Sequence, residues 1–392
     1  MILKTIIQTS SPTSAQYSYG SEVVGGYMGS STPATWDGLA DSLREVMMLG
    51  LAGQAMVSMP VCGTHQVEEV TGHHLDTDLL CLRWGQLAAF MPSLRSWYSG
   101  TDNSRMPYRL ALQYQEYLQW SLERRYQLLP YMITLQQDWT SSGLPLVRPM
   151  FLHYPESLMF GLWSQFMLGP DLVVSAVTSP DQTVVSLRLP AGSWYDLYSG
   201  IKYQSPSSAV SLAVQAQMYE IPAFQRGGSV LLIYKALSPD LGQSGQQYLD
   251  TQTQMDLKIA LECTGGPRQL ETCEASSSLD WLIDGLNSSL SVNVTSLGGE
   301  GSISLNPSGT TDKTLDIIFI SGLQPSPALS FRSSAWEARE CEEGTAVPCW
   351  SQQQDVVLLR KINLPLRDNI SIDWQDPVST STPPPSTSSP TL

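Results

Sequence analysis

Apolar positions change their spacing twice along the chain. From Trp36 to Leu51 they recur every three or four residues, with Leu39, Leu43, Val46 and Met47 on one face, which predicts an amphipathic helix. The short, mainly apolar run from Ala55 to Val61 predicts a short strand buried on both faces, as in a parallel sheet. Helical spacing returns over 77–91 and 108–141, followed by the strand-like segments LPLVRP (144–149) and DLVVSAV (171–177). This alternation is that of β/α units. Beyond Phe166 the period becomes two: VVSLRLP, WYDLYSG, VSLAVQ and SVLLIY are separated by Gly, Pro and Ser turns, which predicts antiparallel strands.

A second all-β block is expected over 249–375. MDLKIALEC, SLSVNVTSL, SISLNP, TLDIIFISGL, DVVLLRKINL and ISIDW all have strand length and turn-bounded ends. The tail PVSTSTPPPSTSSPTL (377–392) has too little apolar content for a core and reads as disordered, as an O-glycosylated stalk would. The boundaries are therefore 1–160 for the β/α part, 161–248 and 249–375 for two β domains, and 376–392 for the tail.

At 392 residues and 42% hydrophobic content, the chain is long enough for two or three domains with cores. A formal charge of −15 excludes a nucleic-acid partner, because phosphate binding needs a basic face. The chain has 11 Trp and 16 Tyr; core filling accounts for most of them, and sugar stacking is the functional alternative. No segment reaches the roughly 18 apolar residues of a membrane span. The opening MILKTII is too short an apolar run for a secretory signal.

A colinear series of strings then narrows the reading: GSSTPATWDGL (29–39), VMMLGLAGQAMVSMPVCG (46–63), CLRWGQLAAFMPSL (81–94), SLERRYQLLPYMITLQQDWTSSGLPLVRP (121–149), FLHYP (151–155), QFMLGPDLVVSAV (165–177), LPAGSWYDLYSG (189–200) and IPAFQRGGSVLLI (221–233). Together they resemble the last third of glycoside hydrolase family 31, the retaining α-glucosidases. The resemblance implies the C-terminal portion of a (β/α)8 TIM barrel followed by two antiparallel β-sandwich domains. It also implies an α-glucoside or other glycan as ligand, with no cofactor. The chain has residues for about three of the eight strands a barrel needs, so the missing half or a partner chain is expected to complete it.

The departures from that family fall on its chemistry. Its nucleophile is an aspartate on an earlier strand, in a stretch that would precede Met1. Its general acid, in a W-T-G-D turn, corresponds to Ser30 of Tyr27-Met28-Gly29-Ser30, and a serine cannot act as a raised-pKa carboxylic acid. The A-D-I-C-G strand end reads Met59-Pro60-Val61-Cys62-Gly63, and R-N-H reads Arg95-Ser96-Trp97. Gln8 stands near an upstream arginine of the family. Tyr27 and Arg95 are the matched positions that line the family's sugar pocket. The chain is thus expected to be a catalytically inactive homologue. The alternatives are a fragment of a longer active hydrolase, and a secreted β-sandwich module that binds a glycan or a protein. Glu22, Asp37 and Asp41 are the candidates for a substitute acid; Asp37 is better explained by the start of a helix.

Cysteine usage points to an oxidising compartment, extracellular or lysosomal. The resemblance pairs Cys62 with Cys81; Cys263 with Cys273 and Cys341 with Cys349 are two further sequence-local pairs whose connectivity spacing alone leaves open. Asn287, Asn293 and Asn369 stand in N-glycosylation sequons. Cys62, His65, His73, His74, Asp76 and Asp78 crowd one region but match no closed zinc pattern, so no metal is expected. His153 reads as a packing or hydrogen-bonding residue, and Arg83 with Trp84 as a brace of the barrel.

Overall fold

The computed structural model describes residues 7–9, 25–28, 32–54, 56–65, 77–96, 105–205, 207–235, 254–264, 272–283, 286–297, 300–309, 311, 313–323, 329–341 and 347–375. They fall into two compact units. One lies within Met1–Ala191 and Ser205–Gln225, the other within Gly192–Gln204, Arg226–Lys235 and Asp240–Leu392. The tail 376–392, Glu22, Ser30, His73, His74, Asp76 and Trp97 lie outside the described residues.

The first unit opens with a parallel sheet of β1 (Ile7–Thr9), β2 (Gly25–Met28), β3 (Val57–Val61) and β4 (Ser93–Ser96), in that order. Of these four described strands only β3 matches an expected run, Ala55–Val61; β1, β2 and β4 are three or four residues long and carry no such run, and the other expected strands, LPLVRP and DLVVSAV, lie in another sheet.

Helix α1 (Trp36–Leu51) leads into β3 and buries Leu39, Leu43, Val46 and Met47, the face its spacing defines. Thr35 caps it, its hydroxyl accepting from the Gly38 N–H at 3.0 Å. Gly38 is required there: a Cβ would stand 2.1 Å from the Pro33 carbonyl oxygen. Helix α2 (Thr77–Ala88) is buried from Leu80 through Ala88, as befits a helix with apolar residues on all sides.

The helical signal over 108–141 resolves into two helices, α3 (Leu112–Gln127) and α4 (Leu129–Ser142). Pro130 explains the break, since it lacks an N–H and is tolerated only in a first helical turn. Gly143, at φ +73°, closes α4 by donating its N–H to the Trp139 carbonyl.

LPLVRP and DLVVSAV do not extend the β/α alternation. They supply β5 (Val147–Pro149) and, after β6 (Gln165–Leu168), β7 (Leu172–Ser175), and both pairings in this series are antiparallel. Gly169, at φ +61°, reverses the chain between β6 and β7, and a hairpin of that length forces antiparallel pairing. After β8 (Val184–Leu189) come β9 (Gly192–Asp196) and β10 (Lys202–Ser205), which belong with the second unit. β11 (Val210–Gln215) then pairs with β8, and β12 (Ala223–Arg226) with β7.

The second unit continues with β13 (Ser229–Tyr234), β14 (Gln254–Ala260), β15 (Glu262–Thr264), β16 (Thr272–Ile283), β17 (Leu286–Leu297), β18 (Glu300–Ser308), β19 (Thr314–Ser321), β20 (Ser330–Ser333), β21 (Glu337–Glu340), β22 (Cys349–Gln353), β23 (Val356–Arg360), β24 (Leu364–Pro365) and β25 (Ile370–Gln375). They follow one hydrogen-bonded path, β13-β14-β19-β23-β22-β21-β20-β25-β18-β17-β16-β15, with β24 beside β19. Near its ends the Ser276 N–H donates to the Gly228 carbonyl, so the sheet nearly closes on itself. The expectation of purely antiparallel pairing needs correction, because β14 with β19 and β21 with β22 run parallel. Alternation along a strand reports which faces are buried, not the direction of a neighbour.

All three disulfides form: Cys62–Cys81, Cys263–Cys273 across the β15–β16 ladder, and Cys341–Cys349.

Candidate functional site

In a parallel β/α sheet the ends of the strands carry the chemistry, because the loops that leave them converge there. The register of β2, β3 and β4 sets what stands at those ends. Pro60 pairs with Arg95 and Val61 with Ser96 at the ends of β3 and β4, whereas Tyr27 pairs with Val57 and Met28 with Ser58, so β2 ends level with the start of β3. Pro60 is buried and Arg95 exposed. None of the residues in β1 to β4 is an aspartate or a glutamate.

One arginine holds the turn that leaves β3, and another holds the chain that enters β4. Beyond β3 the chain turns through Cys62 at φ +60° and Gly63 at φ +71°. The Arg105 guanidinium, 3% exposed, donates to the carbonyl oxygens of Cys62 at 3.1 Å and Gly63 at 3.0 Å. The Cys62–Cys81 bond ties the same turn to α2. Thr64 donates its N–H to the Thr32 carbonyl at 2.7 Å, linking the turn to the segment that follows β2. Arg125, from α3, donates to the carbonyls of Ala89, Met91 and Pro92 and so fixes the approach to β4. Burial lowers its guanidinium pKa to about 10, which leaves it charged at neutral pH.

A third arginine acts further from the strand ends. Arg83 of α2 donates to the carbonyls of Ala216, Gln217 and Glu220 at 3.0, 2.7 and 3.2 Å and to the Gln86 side chain. Desolvation lowers its pKa to about 10. Arg83 therefore braces the helix layer against the loop after β11. Trp84 is fully buried beside it.

Asp37 and Asp41, the described candidates for a substitute acid, and Asp78 and His65 of the crowded Cys/His/Asp region each have a local structural setting. Asp37 lies in the first turn of α1, where the helix dipole favours a negative charge. Asp41 is ion-paired with Arg44 at 2.8 Å on the exposed face of α1. Asp78 accepts the Ala111 N–H at 2.8 Å and so caps α3. His65 meets Thr64 at 3.3 Å. Among the described residues no three His, Cys, Asp or Glu side chains converge on a common point. His153 accepts a hydrogen bond at 2.8 Å through Nε2 from Arg148, a buried arginine whose pKa desolvation depresses. Asn293 and Asn369 are exposed, as a glycosylated asparagine must be.

Sequence reading missed Arg105 and Arg125. Both sit in polar stretches of sequence, and only the carbonyls they reach reveal their role; Arg105 is 43 and 42 residues from Cys62 and Gly63, so the sequence carries no signal of the contact.

The parallel strands with their helices, and the β-rich part that follows, define a portion of a β/α barrel with β-rich C-terminal domains. The chain belongs to glycosyl hydrolase family 31: residues 13–135 match the family's TIM-barrel domain and residues 143–231 its C-terminal domain. Neutral alpha-glucosidase AB of Sus scrofa is 30% identical over 252 residues, which cover 59% of this chain and 26% of that protein. Lysosomal alpha-glucosidase of Rattus norvegicus is 34% identical over 167 residues, covering 42% of this chain and 16% of that protein. The chain thus spans about a quarter or less of the length of these relatives. In fold it is similar to the family 31 dextranase of Flavobacterium johnsoniae solved with glucose, with a TM-score of 0.72 at 17% identity over 90% of this chain and 44% of that one. It is also similar to the glucosidase II alpha subunit, with a TM-score of 0.70 at 19% identity over 90% and 38% of the two chains.

Proposed function

We propose that this chain is a homologue of α-glucosidase lineage that retains the family's frame, contacts an α-linked glucoside through Tyr27 and Arg95, and does not hydrolyse it. The observation that carries this reading is the β3–β4 strand end, where Pro60 stands beside Arg95 at the position of a family carboxylate. A retaining glycosidase needs two carboxyl groups about 5–5.5 Å apart, one as nucleophile and one as acid and then base. Ser30 replaces the acid, and the strand ends β1 to β4 supply no carboxyl group in its place. Losing such a group generally costs several orders of magnitude in rate.

The lineage supports a glycan ligand, since relatives of this fold are solved with glucose and with glucose-containing glycans. Three disulfides, and relatives that include a lysosomal enzyme, support a secretory-pathway location with N-glycans at Asn287, Asn293 and Asn369. We also propose the division into a partial barrel over 1–160, a proximal β-sandwich over 161–248 and a distal one over 249–375.

A second reading, favoured by the open four-strand parallel sheet, is that the chain acts as part of a longer active hydrolase whose further strands pair with β1 and β4. Isothermal titration with maltose and isomaltose, beside a hydrolysis assay, separates the two readings. Binding without turnover supports the first. Turnover on adding the remaining barrel strands supports the second.

A further inference from the structure

Three aromatic rings meet on the surface of the first unit, outside its core. Tyr117 and Trp120, three residues apart on α3, share one side of the helix, with ring centroids 5.5 Å apart. Tyr219, from the loop between β11 and β12, lies 6.2 Å from Tyr117 and 6.3 Å from Trp120, edge-on to both. Trp120 is 50% exposed and Tyr219 40%, and Tyr117 is half-buried between them.

The two elements that present these rings are both anchored to α2. Around Tyr219 the loop carbonyls are taken by buried donors: Arg83 holds those of Ala216, Gln217 and Glu220, and Gln86 donates to that of Met218 at 2.8 Å. On the other side Leu118 of α3 packs so closely on Gly85 of α2 that a Cβ there would stand 2.4 Å from it. Gln113 donates to the Tyr117 hydroxyl at 2.9 Å, which orients that ring. Core packing and bracing account for Leu118, Arg83 and Gln86, but not for two large rings left in water. Rings held in place before a ligand arrives lose little freedom when it binds.

Magnitudes and charge select the occupant. An aromatic side chain buries about 150–250 Å² when fully covered, so the exposed parts of these three offer roughly 200–300 Å². A stable protein–protein interface takes about 800 Å² from each partner, so the area suits a small ligand and falls short of a second protein. The rings are in contact with one another, so they enclose no cage for a quaternary ammonium ion. Nucleic-acid bases stack on such rings only beside a basic groove. The chain carries a formal charge of −15, and Arg124, one turn on from Trp120, is engaged with Gln127 at 2.9 Å. A neutral ligand with apolar faces and a hydrogen-bonding rim remains, and a saccharide, with its C–H faces and hydroxyls, has that chemistry.

We infer that Tyr117, Trp120 and Tyr219 form a surface site that stacks against the C–H faces of an α-linked glucose chain. The saccharide class follows from the rings, and the choice of α-linked glucose rests on the ligand proposed for Tyr27 and Arg95. The test is isothermal titration of the full chain with β-cyclodextrin, a closed ring of α-linked glucose without a chain end, beside maltose. β-Cyclodextrin is expected to bind, and W120A/Y219A to weaken it at least tenfold at an unchanged melting temperature. Absence of binding overturns the inference, and so does binding undiminished in W120A/Y219A. Should that variant melt early, Trp120→Gln gives the same reading, because glutamine is a good helix former at an exposed helical position; undiminished binding there also overturns the inference. A concentration-dependent dimer, formed without sugar and abolished in W120A/Y219A, would assign the rings to a second copy of the chain and overturn it as well. The two sites fail separately. Maltose binding that Arg95→Ala removes, without β-cyclodextrin binding, overturns the surface site alone. β-Cyclodextrin binding lost in W120A/Y219A, with maltose binding indifferent to Arg95→Ala, supports the surface site and overturns the reading at the strand ends.

Discussion

Pro60 stands opposite Arg95 across the β3–β4 ladder, the last-but-one pairing before these strands end. A proline there carries neither a carboxylate to hold a sugar hydroxyl nor an N–H to position one. The frame around it is nevertheless kept: the turn beyond β3 is disulfide-bonded and arginine-clamped, and β4 is approached through carbonyls held by Arg125. Restoring the acid alone, as Ser30→Asp, should therefore leave release of 4-nitrophenol from its α-glucoside at the buffer rate. A rise above the blank in that variant would show that the rest of the catalytic set is already present.

Arg105 should matter far more to stability than its loop position implies. Arg105→Met leaves the Cys62 and Gly63 carbonyls buried without their donor and should cost about 2–4 kcal/mol, at roughly 1–3 kcal/mol for each orphaned group less some relaxation. Arg105→Lys should recover only part, because one ammonium cannot reproduce the planar fork. Urea denaturation of the two variants beside the parent measures both effects.

The Cys62–Cys81 bond closes a loop with a sequence separation of 19. Cross-linking a loop of this size constrains the unfolded chain by about 3 kcal/mol. The C62S/C81S pair should therefore melt earlier by the corresponding amount, whereas replacing Cys341 and Cys349, separated by 8, should cost less. Differential scanning calorimetry under non-reducing conditions distinguishes them.

Asp256 on β14 gives the second unit a pH dependence of its own. Burial raises its carboxyl to about 7, with the Asp316 charge adding to the effect, while the Ile317 N–H and Lys235 pull it back. Because the folded pKa lies above the unfolded value of about 3.9, the native state holds a proton that the unfolded state releases. Stability should then fall as pH rises from about 4 to about 7 and level off above that, by up to a few kcal/mol at about 1.4 kcal/mol per pKa unit. Asp256→Asn keeps an acceptor for Ile317 and should flatten that slope and raise the melting temperature at pH 8. An unchanged slope in Asp256→Asn would place the dependence elsewhere.

What the sequence made legible follows from how strongly local pattern constrains each element. The faces of α1 and the buried run of β3 were plain, because Leu39, Leu43, Val46 and Met47 can share one face only in a helix and Val57–Val61 has Ser58 as its single polar side chain. The split between α3 and α4 was legible in Pro130, whose consequence the continuous helical spacing on either side obscured. Strand β16 was not legible as a whole, since Thr272–Ile283 carries three consecutive serines and reads as a loop until the neighbouring β17 supplies its hydrogen bonds. Pairing direction was equally hidden: β14 and β19 look like any alternating strands, and their parallel alignment depends on where the intervening chain returns. The departures at Ser30, Pro60 and Trp97 could be read from matched motifs. The guanidinium clamps of Arg105 and Arg125 could not, because their partners are backbone carbonyls, which leave no mark in a sequence.

The most direct test of the central claim is hydrolysis of 4-nitrophenyl α-D-glucopyranoside by the purified full chain across pH 4 to 8. A rate indistinguishable from buffer at every pH is predicted, together with measurable binding of maltose that Arg95→Ala removes. Turnover that a mechanism-based α-glucosidase inhibitor abolishes, with a sugar left covalently attached to the chain, would contradict it.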